Sequence, residues 1–190
     1  MTNNIWVTVP IGERHSYIPG LLAGLEDFRG RIVFVNNHPT YTEFPGVHHV
    51  EDFGAINIYR WWNVGINYAQ RDGAEYVAVL NDDLEFDAGF LPAMHKHMVK
   101  HDLAIVDLEN SGNGGGAAWM MDLRYGLRLD ERYQWWYGDT DLFYRAGPRY
   151  GRFYYQDVIH HNPNGNLISN PYLQKLVEED ANLFRELRAV

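Results

Sequence analysis

The sequence alternates short, nearly continuous apolar runs with longer segments in which apolar residues recur every three or four positions. The runs have the length of buried strands, and the longer segments have the period of helices. This alternation predicts an α/β fold with a mostly parallel central sheet flanked by helices. The runs predicted as strands are 5–9, 31–35, 75–80, 103–106, 117–121 and 152–159. The segments predicted as helices are 16–25, 55–71, the one capped by Asp87, 140–146 and the one that begins at Pro171.

The segment 55–71 has the clearest helical pattern. Its apolar positions share one face, and the opposite side carries Arg60, Asn63 and Asn67. Ser16 is predicted to cap the first helix, and Pro10 with Gly12 is predicted to end the first strand.

Length, charge and cysteine content limit the class of protein. The 190 residues suit a single domain. The net charge of −9 argues against general binding to nucleic acid or anionic membranes. The absence of cysteine excludes disulfides and cysteine nucleophiles. With no apolar run long enough to span a membrane and no leader-like start, the expectation is a cytoplasmic protein without a membrane span; the sequence does not indicate an oligomeric state.

Polar clusters follow several of the predicted strands, where α/β sheets bind ligands. They are Pro10–Arg14, Asn36-Asn37, Asn81-Asp82-Asp83, and the stretch that leads to Asp139 and Asp141. Adjacent carboxylates at a strand end attract a cation, and oxygen ligands suit Mg²⁺ or Mn²⁺. A turn-capping role for one aspartate and a solvated position for the other is the alternative.

An aromatic stretch at Tyr133–Tyr137 precedes Asp139 and Asp141. One interpretation is a carboxylate beside an aromatic sugar-binding wall, and the other is helix capping. Asp141 and Arg145 are four residues apart, a spacing that predicts an ion pair along the helix. The late pair His160-His161 is either packed, exposed or close to a metal ion.

In their order along the chain, these clusters resemble the family-2-like glycosyltransferases with the A-type (GT-A, Rossmann-like) nucleotide-sugar fold. The matching pieces lie between residues 5 and 161: Val7–Pro10, Ile32–Asn37, Asn63–Gly65, Val79–Asp83, Leu129–Glu131, Gly138–Leu142 with Arg145, and Val158–His160. The sequence departs from the family pattern at Asn36, where an aspartate is usual, at Gly138, where a glutamate is usual, and at Trp62, where an arginine is frequent.

The resemblance implies a role for each matched position. Asp139 is expected to be the general base, and Asp83 with His160 is expected to hold a divalent cation, Mn²⁺ or Mg²⁺. The residues expected to bind the donor are Pro10, Arg14, Asn36, Arg60, Asn63, Asn81, Asp82 and Trp136.

The function that follows from the resemblance is inverting, metal-dependent transfer of a sugar from a nucleotide-diphosphate donor to an acceptor hydroxyl. The acceptor is a glycan, a lipid-linked sugar or a protein. Residues 1–106 are expected to bind the nucleotide sugar, 107–169 to form the acceptor and catalytic half, and 170–190 to form a C-terminal helix. The alternatives are a catalytically silent nucleotide-sugar or glycan-binding module on the same fold, and a nucleotidyltransferase, for which the glycine-rich signature is faint.

Overall fold

The computed structural model describes residues 4–12, 16–40, 42–109, 116–161 and 170–189. Its strands are β1 (Ile5–Ile11), β2 (Ile32–Asn36), β3 (His48–Glu51), β4 (Tyr76–Leu80), β5 (Leu84–Phe86), β6 (Ile105–Leu108), β7 (Ala118–Asp122), β8 (Tyr150–Phe153) and β9 (Val158–His160). Its helices are α1 (Ile18–Gly24), α2 (Ile58–Arg71), α3 (Phe90–Lys100), α4 (Gly138–Ala146) and α5 (Pro171–Arg188).

Seven of these strands form one sheet in the order β3-β2-β1-β4-β7-β6-β8. Every neighbouring pair is parallel except those of β7, which runs antiparallel to both β4 and β6. The predicted mostly parallel α/β sheet is therefore confirmed. The strands β5 and β9 form a separate two-stranded antiparallel sheet.

Helices cover both faces of the large sheet, so the chain has two apolar cores. Alternating side chains of β1 divide between them: Val7 and Val9 face the core that contains α1 and α3, whereas Trp6 faces the core that contains α2 and α4. The C-terminal helix α5 packs its Phe184 and neighbouring apolar residues against the second core. No described helix is long and apolar enough to cross a membrane.

Several predicted boundaries are wrong. The single strand predicted over 152–159 is two strands, β8 and β9, which belong to different sheets. Pro10 lies inside β1, and it is tolerated there because the register of β1 with β4 ends at Thr8. The short strands β3 and β5 have no counterpart in the prediction.

Helix starts are also corrected. The cap position of α1 is Tyr17, whose side chain makes no cap hydrogen bond, so Ser16 does not cap the helix. Asp87 accepts the Gly89 N–H at 2.7 Å and thus closes the turn before α3. Helix α2 begins at Ile58, because the Asn57 side chain accepts the Arg60 N–H at 2.9 Å.

Candidate active site

The acidic pair Asp82-Asp83 follows β4 directly, and the small sheet brings a histidine against it. Leu84 of β5 is paired with His160 of β9, so the two chain segments run side by side. His160 Nε2 lies 3.1 Å from Asp83 Oδ1, with exposed side-chain fractions of 12% and 14%. These two predicted metal ligands are therefore in contact although they are far apart in sequence.

The contact between Asp83 and His160 lacks hydrogen-bond geometry. Asp83 Oδ1 and His160 Nδ1 are both buried and have no hydrogen-bond partner among the described residues. A buried carboxylate oxygen without a donor is costly unless a cation or a proton occupies its lone pair. An oxygen and an imidazole nitrogen at this separation fit two ligands of Mn²⁺. Within the described ranges, no group of three or more His, Cys, Asp or Glu residues is close enough together to hold a metal ion.

His161 points to a different neighbourhood from His160. Its Nε2 lies 3.0 Å from Glu85 Oε2, and its ring stacks on Tyr17 at a centroid distance of 4.9 Å. His161 directly follows β9, and its N–H donates to the Asp83 carbonyl at 3.0 Å. The extended pairing therefore continues through His161, and successive side chains point to opposite faces.

Asn36, at the end of β2, is buried beside β3. Its Nδ2 lies 3.3 Å from His49 Nδ1, and its Oδ1 is buried with no hydrogen-bond partner in the described part of the chain. The Asn36 carbonyl accepts the Asp52 N–H at 2.9 Å, and Arg60 Nη2 donates to Asp52 Oδ1 at 2.7 Å. Asn36 and Arg60, both predicted to bind the donor, are thus connected through Asp52.

The other residues predicted to bind the donor differ in their surroundings. Pro10 is buried in β1, and Asn81 is half-buried and donates its backbone N–H to the Ala117 carbonyl at 2.9 Å. Asp82 is half-buried beside it. Arg14 lies outside the described residues.

Asn63, which the sequence places opposite the apolar face of α2, is buried. Its side chain is 6% exposed. Its Nδ2 donates to the Leu129 carbonyl at 3.0 Å and to Glu131 Oε1 at 2.8 Å, and its Oδ1 accepts the Leu129 N–H at 3.3 Å. These bonds fix the segment 129–131 on α2.

Asp139 lies in the first turn of α4, as predicted, and its Oδ1 accepts the Thr140 N–H at 2.8 Å. Burial raises the pKa of Asp139, while hydrogen bonds from the Thr140 N–H and the Tyr59 hydroxyl act in the opposite direction. A carboxyl whose pKa is raised is a better proton acceptor than an ordinary aspartate.

A second buried carboxylate, Asp107, was not predicted from the sequence. It is 1% exposed on β6, and its Oδ1 accepts the Gly116 N–H at 3.2 Å. Gly116, at φ +103°, approaches Asp139 so closely that an added Cβ would lie 2.2 Å from its Oδ2. Burial, and then the charge of Asp139, raises the pKa of Asp107 to about 7. The sequence signal for Asp107 is its position as the one aspartate in the otherwise apolar strand 105–108, which indicates a buried carboxylate.

The aromatic segment before α4 is held by the C-terminal helix. Asp180 of α5 is 2% exposed and accepts three successive backbone N–H groups at 2.7–3.0 Å. They belong to Gln134, Trp135 and Trp136. The side chain of Trp136 remains 39% exposed, so it is available to a ligand.

Tyr137 begins α4 in the left-handed region, at φ +66°. A non-glycine residue in this conformation requires support from its surroundings. Its ring stacks on Phe184 of α5 at a centroid distance of 5.3 Å.

Asp141 is buried in α4 and paired with arginines. Its Oδ2 accepts from Arg145 Nε at 2.7 Å, which confirms the ion pair, and its Oδ1 accepts from Arg188 of α5. Two arginines therefore neutralise this buried carboxylate.

No family model and no curated protein matches the sequence. Solved structures do match. TarS from S. aureus is 13% identical with a TM-score of 0.63, and the alignment covers 94% of this chain but only 43% of TarS. Glucosyl-3-phosphoglycerate synthase from Mycobacterium tuberculosis, in complex with Mn²⁺, UDP and phosphoglyceric acid, is 11% identical with a TM-score of 0.69, covering 95% of this chain and 78% of that one. The same enzyme with UDP-glucose in place of UDP is 10% identical with a TM-score of 0.67, covering 95% and 80%. The chain therefore has the GT-A-like fold found in nucleotide-sugar glycosyltransferases.

Proposed function

We propose that the protein is a glycosyltransferase that moves a sugar from a nucleotide-diphosphate donor, a UDP sugar in the first instance, to an acceptor hydroxyl with inversion. The observation that carries the proposal is the contact between Asp83 and His160 at the end of β4. On the same fold, neighbours have been solved with UDP and with Mn²⁺ or Mg²⁺. The acceptor class, a glycan, a lipid-linked sugar or a protein, is part of the proposal.

Asp83 and His160 would hold a divalent cation, Mn²⁺ or Mg²⁺. Such a cation would supply positive charge to the diphosphate as it leaves. Asp82 and Asn81 stand beside this position at the end of β4, and we assign them to the diphosphate and sugar side of the donor.

Asn36 and Arg60 are assigned to the nucleoside part of the donor, together with Pro10 of β1 and Arg14, which follows β1 in the sequence. Asn36 supports this assignment because its buried Oδ1 lacks a donor among the described residues. A ring N–H of the base would satisfy it. These residues all belong to 1–106, the half proposed to bind the nucleotide sugar.

Asp139 is assigned as the general base. As the acceptor oxygen attacks the anomeric carbon, its proton would pass to Asp139, and the bond to the diphosphate would break on the opposite face of the sugar. Attack from that opposite face inverts the anomeric centre. The exposed ring of Trp136 offers a stacking surface for a sugar.

The test begins with binding. Purified protein is heated with UDP, GDP, ADP and their glucose conjugates, with and without Mn²⁺. Ligand binding to the native state raises the melting temperature by mass action, so the donor nucleotide is identified by a Mn²⁺-dependent rise. No rise with any nucleotide would overturn the proposal.

The alternative function is a catalytically silent binding module. Gly138 favours this alternative, because a glycine there leaves Asp139 without a neighbouring acidic residue. A measurement of turnover distinguishes the enzyme from the binding module. With the donor identified, transfer is measured at saturating donor and acceptor. Asp139→Asn keeps the size of the side chain but removes the base, and a loss of about 10²–10⁴ in rate with donor affinity unchanged is expected. Donor binding without any transfer by the wild-type protein would indicate the binding module.

A further inference from the structure

Gly138 leaves a space that a tyrosine from another helix fills. A Cβ built on Gly138 would lie 2.7–2.8 Å from three ring carbons of Tyr59. Real Cβ atoms do not approach other atoms this closely, so any larger residue would displace either the ring or the start of α4. The first turn of α4 and the ring of Tyr59 are therefore closely packed.

The Tyr59 ring is fixed from several sides. It is 1% exposed and packs edge-to-face with Trp62 at 5.4 Å and with Tyr133 at 6.3 Å. The Ile58 N–H donates to the Gln134 carbonyl at 2.9 Å and thereby ties the start of α2 to the segment that leads into α4. The hydroxyl consequently has a fixed position relative to Asp139.

The ring carbon that bears the Tyr59 hydroxyl is one of the three that face Gly138, so the hydroxyl lies beside the first turn of α4, where it interacts with the Asp139 carboxylate. Burial, and then the charge of Asp139, raises the pKa of Tyr59 well above its usual range, so the phenol keeps its proton and remains a donor. The other charged or polar groups that face this pair are Asp107 of β6, Thr140 of α4 and Asp180 of α5. Thr140 and a protonated Asp107 can also donate a hydrogen bond, so the contribution of the phenol is isolated by a variant that removes its hydroxyl alone.

We propose that Tyr59 is a positioning residue for Asp139: its hydroxyl orients the carboxylate and favours its ionised form, in the space that Gly138 leaves open. The catalytic part of this inference rests on the proposed function, in which Asp139 accepts the proton of the acceptor hydroxyl. The contact itself is testable without activity.

The direct test is a titration of the aspartate carboxyl carbons by ¹³C NMR, with Asp139→Asn used to assign the Asp139 signal. Tyr59→Phe removes one oxygen and keeps the ring. We expect the Asp139 titration midpoint to rise by about one pH unit, since a hydrogen bond to the ionised form is lost. An unchanged midpoint would overturn the proposal.

Tyr133→Phe is the matched control. Tyr133 is also buried, packs against Tyr59, and donates its hydroxyl to Asp141 at 3.5 Å rather than to Asp139. Its variant should leave the Asp139 midpoint within about 0.2 unit of the wild type. A rise of the same size in both variants would show a general packing effect and would refute a specific role for Tyr59.

A second variant covers the case in which Tyr59→Phe does not fold. Incorporation of 3-fluorotyrosine at position 59 keeps the hydroxyl and makes it more acidic, hence a stronger donor. The Asp139 midpoint should then move to lower pH. A move to higher pH, or none, would count against the proposal.

Activity distinguishes this inference from the proposed function. In Tyr59→Phe, the acidic limb of the transfer rate against pH should move to higher pH by about one unit, with most of the rate recovered at the alkaline end. If Asp139→Asn transfers sugar normally, the general-base assignment is wrong, while the NMR titration still decides whether Tyr59 acts on Asp139. If Asp139→Asn is inactive and Tyr59→Phe has the wild-type pH profile, only the role of Tyr59 is refuted.

Discussion

Asp107→Asn is expected to stabilise the protein in alkaline solution. The pKa of Asp107 rises from 3.8 to about 7 on folding, chiefly because the carboxyl is buried. In the unfolded chain the group ionises near its ordinary value, so the folded state holds the proton more tightly. The associated stability is complete below the unfolded pKa and is lost as the pH rises to about 7. At about 1.4 kcal/mol per pH unit, the loss amounts to about 4 kcal/mol.

An asparagine side chain does not ionise, so the variant does not lose stability in this way, and it can keep the local hydrogen bonds. Its oxygen can accept the Gly116 N–H, and its amide can donate to the Tyr150 hydroxyl, which lies 3.4 Å from Asp107 Oδ2. The variant should therefore match the wild type near pH 4 and exceed its free energy of unfolding by a few kcal/mol at pH 8.5.

The assay for Asp107→Asn is urea unfolding at pH 4.5, 6.5 and 8.5. Glu109→Gln is the matched control, because Glu109 is on the same chain segment but its side chain is 53% exposed. Its effect should stay within about 0.5 kcal/mol at every pH. A stability difference between Asp107→Asn and the wild type that does not grow with pH would refute the reasoning.

Two further predictions concern the metal position and the C-terminal helix. The Mn²⁺-dependent rise in melting temperature with the donor nucleotide should be smaller in Asp83→Ala and His160→Ala and nearly unchanged in His161→Ala. Loss of this rise in the His161 variant alone would contradict the register of β9. Asp180→Ala removes the acceptor of three backbone N–H groups and should lower the free energy of unfolding by about 3 kcal/mol, at roughly 1 kcal/mol for each bond, with Glu179→Ala as the exposed control. Equal urea midpoints for the Asp180 and Glu179 variants would show that α5 does not hold the aromatic segment.

Local sequence patterns were sufficient for the parts of the fold that depend on local burial. The predicted strands that became β1, β2, β4, β6 and β7 are mainly apolar because both faces of the sheet are covered there, and this pattern can be read directly. The ion pair between Asp141 and Arg145 was also predictable, because the helix period alone sets the distance between residues four apart.

The missed features depend on contacts between distant segments. The residues of β3 and β9 are half-buried or exposed, so their sequences lack the apolar pattern of a central strand. Asp107 lies in an apolar run, where a single aspartate carries no indication that Gly116 and Asp139 will lie beside it. The direction of the Asp139 pKa likewise depends on burial by distant elements and not on its own helix.

The aspartates near α4 differ in what balances their charge, and this difference separates structural from reactive groups. Asp141 is paired with Arg145 and Arg188, so two adjacent cations balance its charge. Asp139 has no ion pair within the described residues and depends on neutral donors, the Thr140 N–H and the Tyr59 hydroxyl. Neutral donors hold a carboxylate in place without supplying a compensating charge, so burial raises the pKa of Asp139. Because Asp141 is paired with arginines and Asp139 is not, this difference supports the proposal that Asp139, rather than Asp141, is the general base.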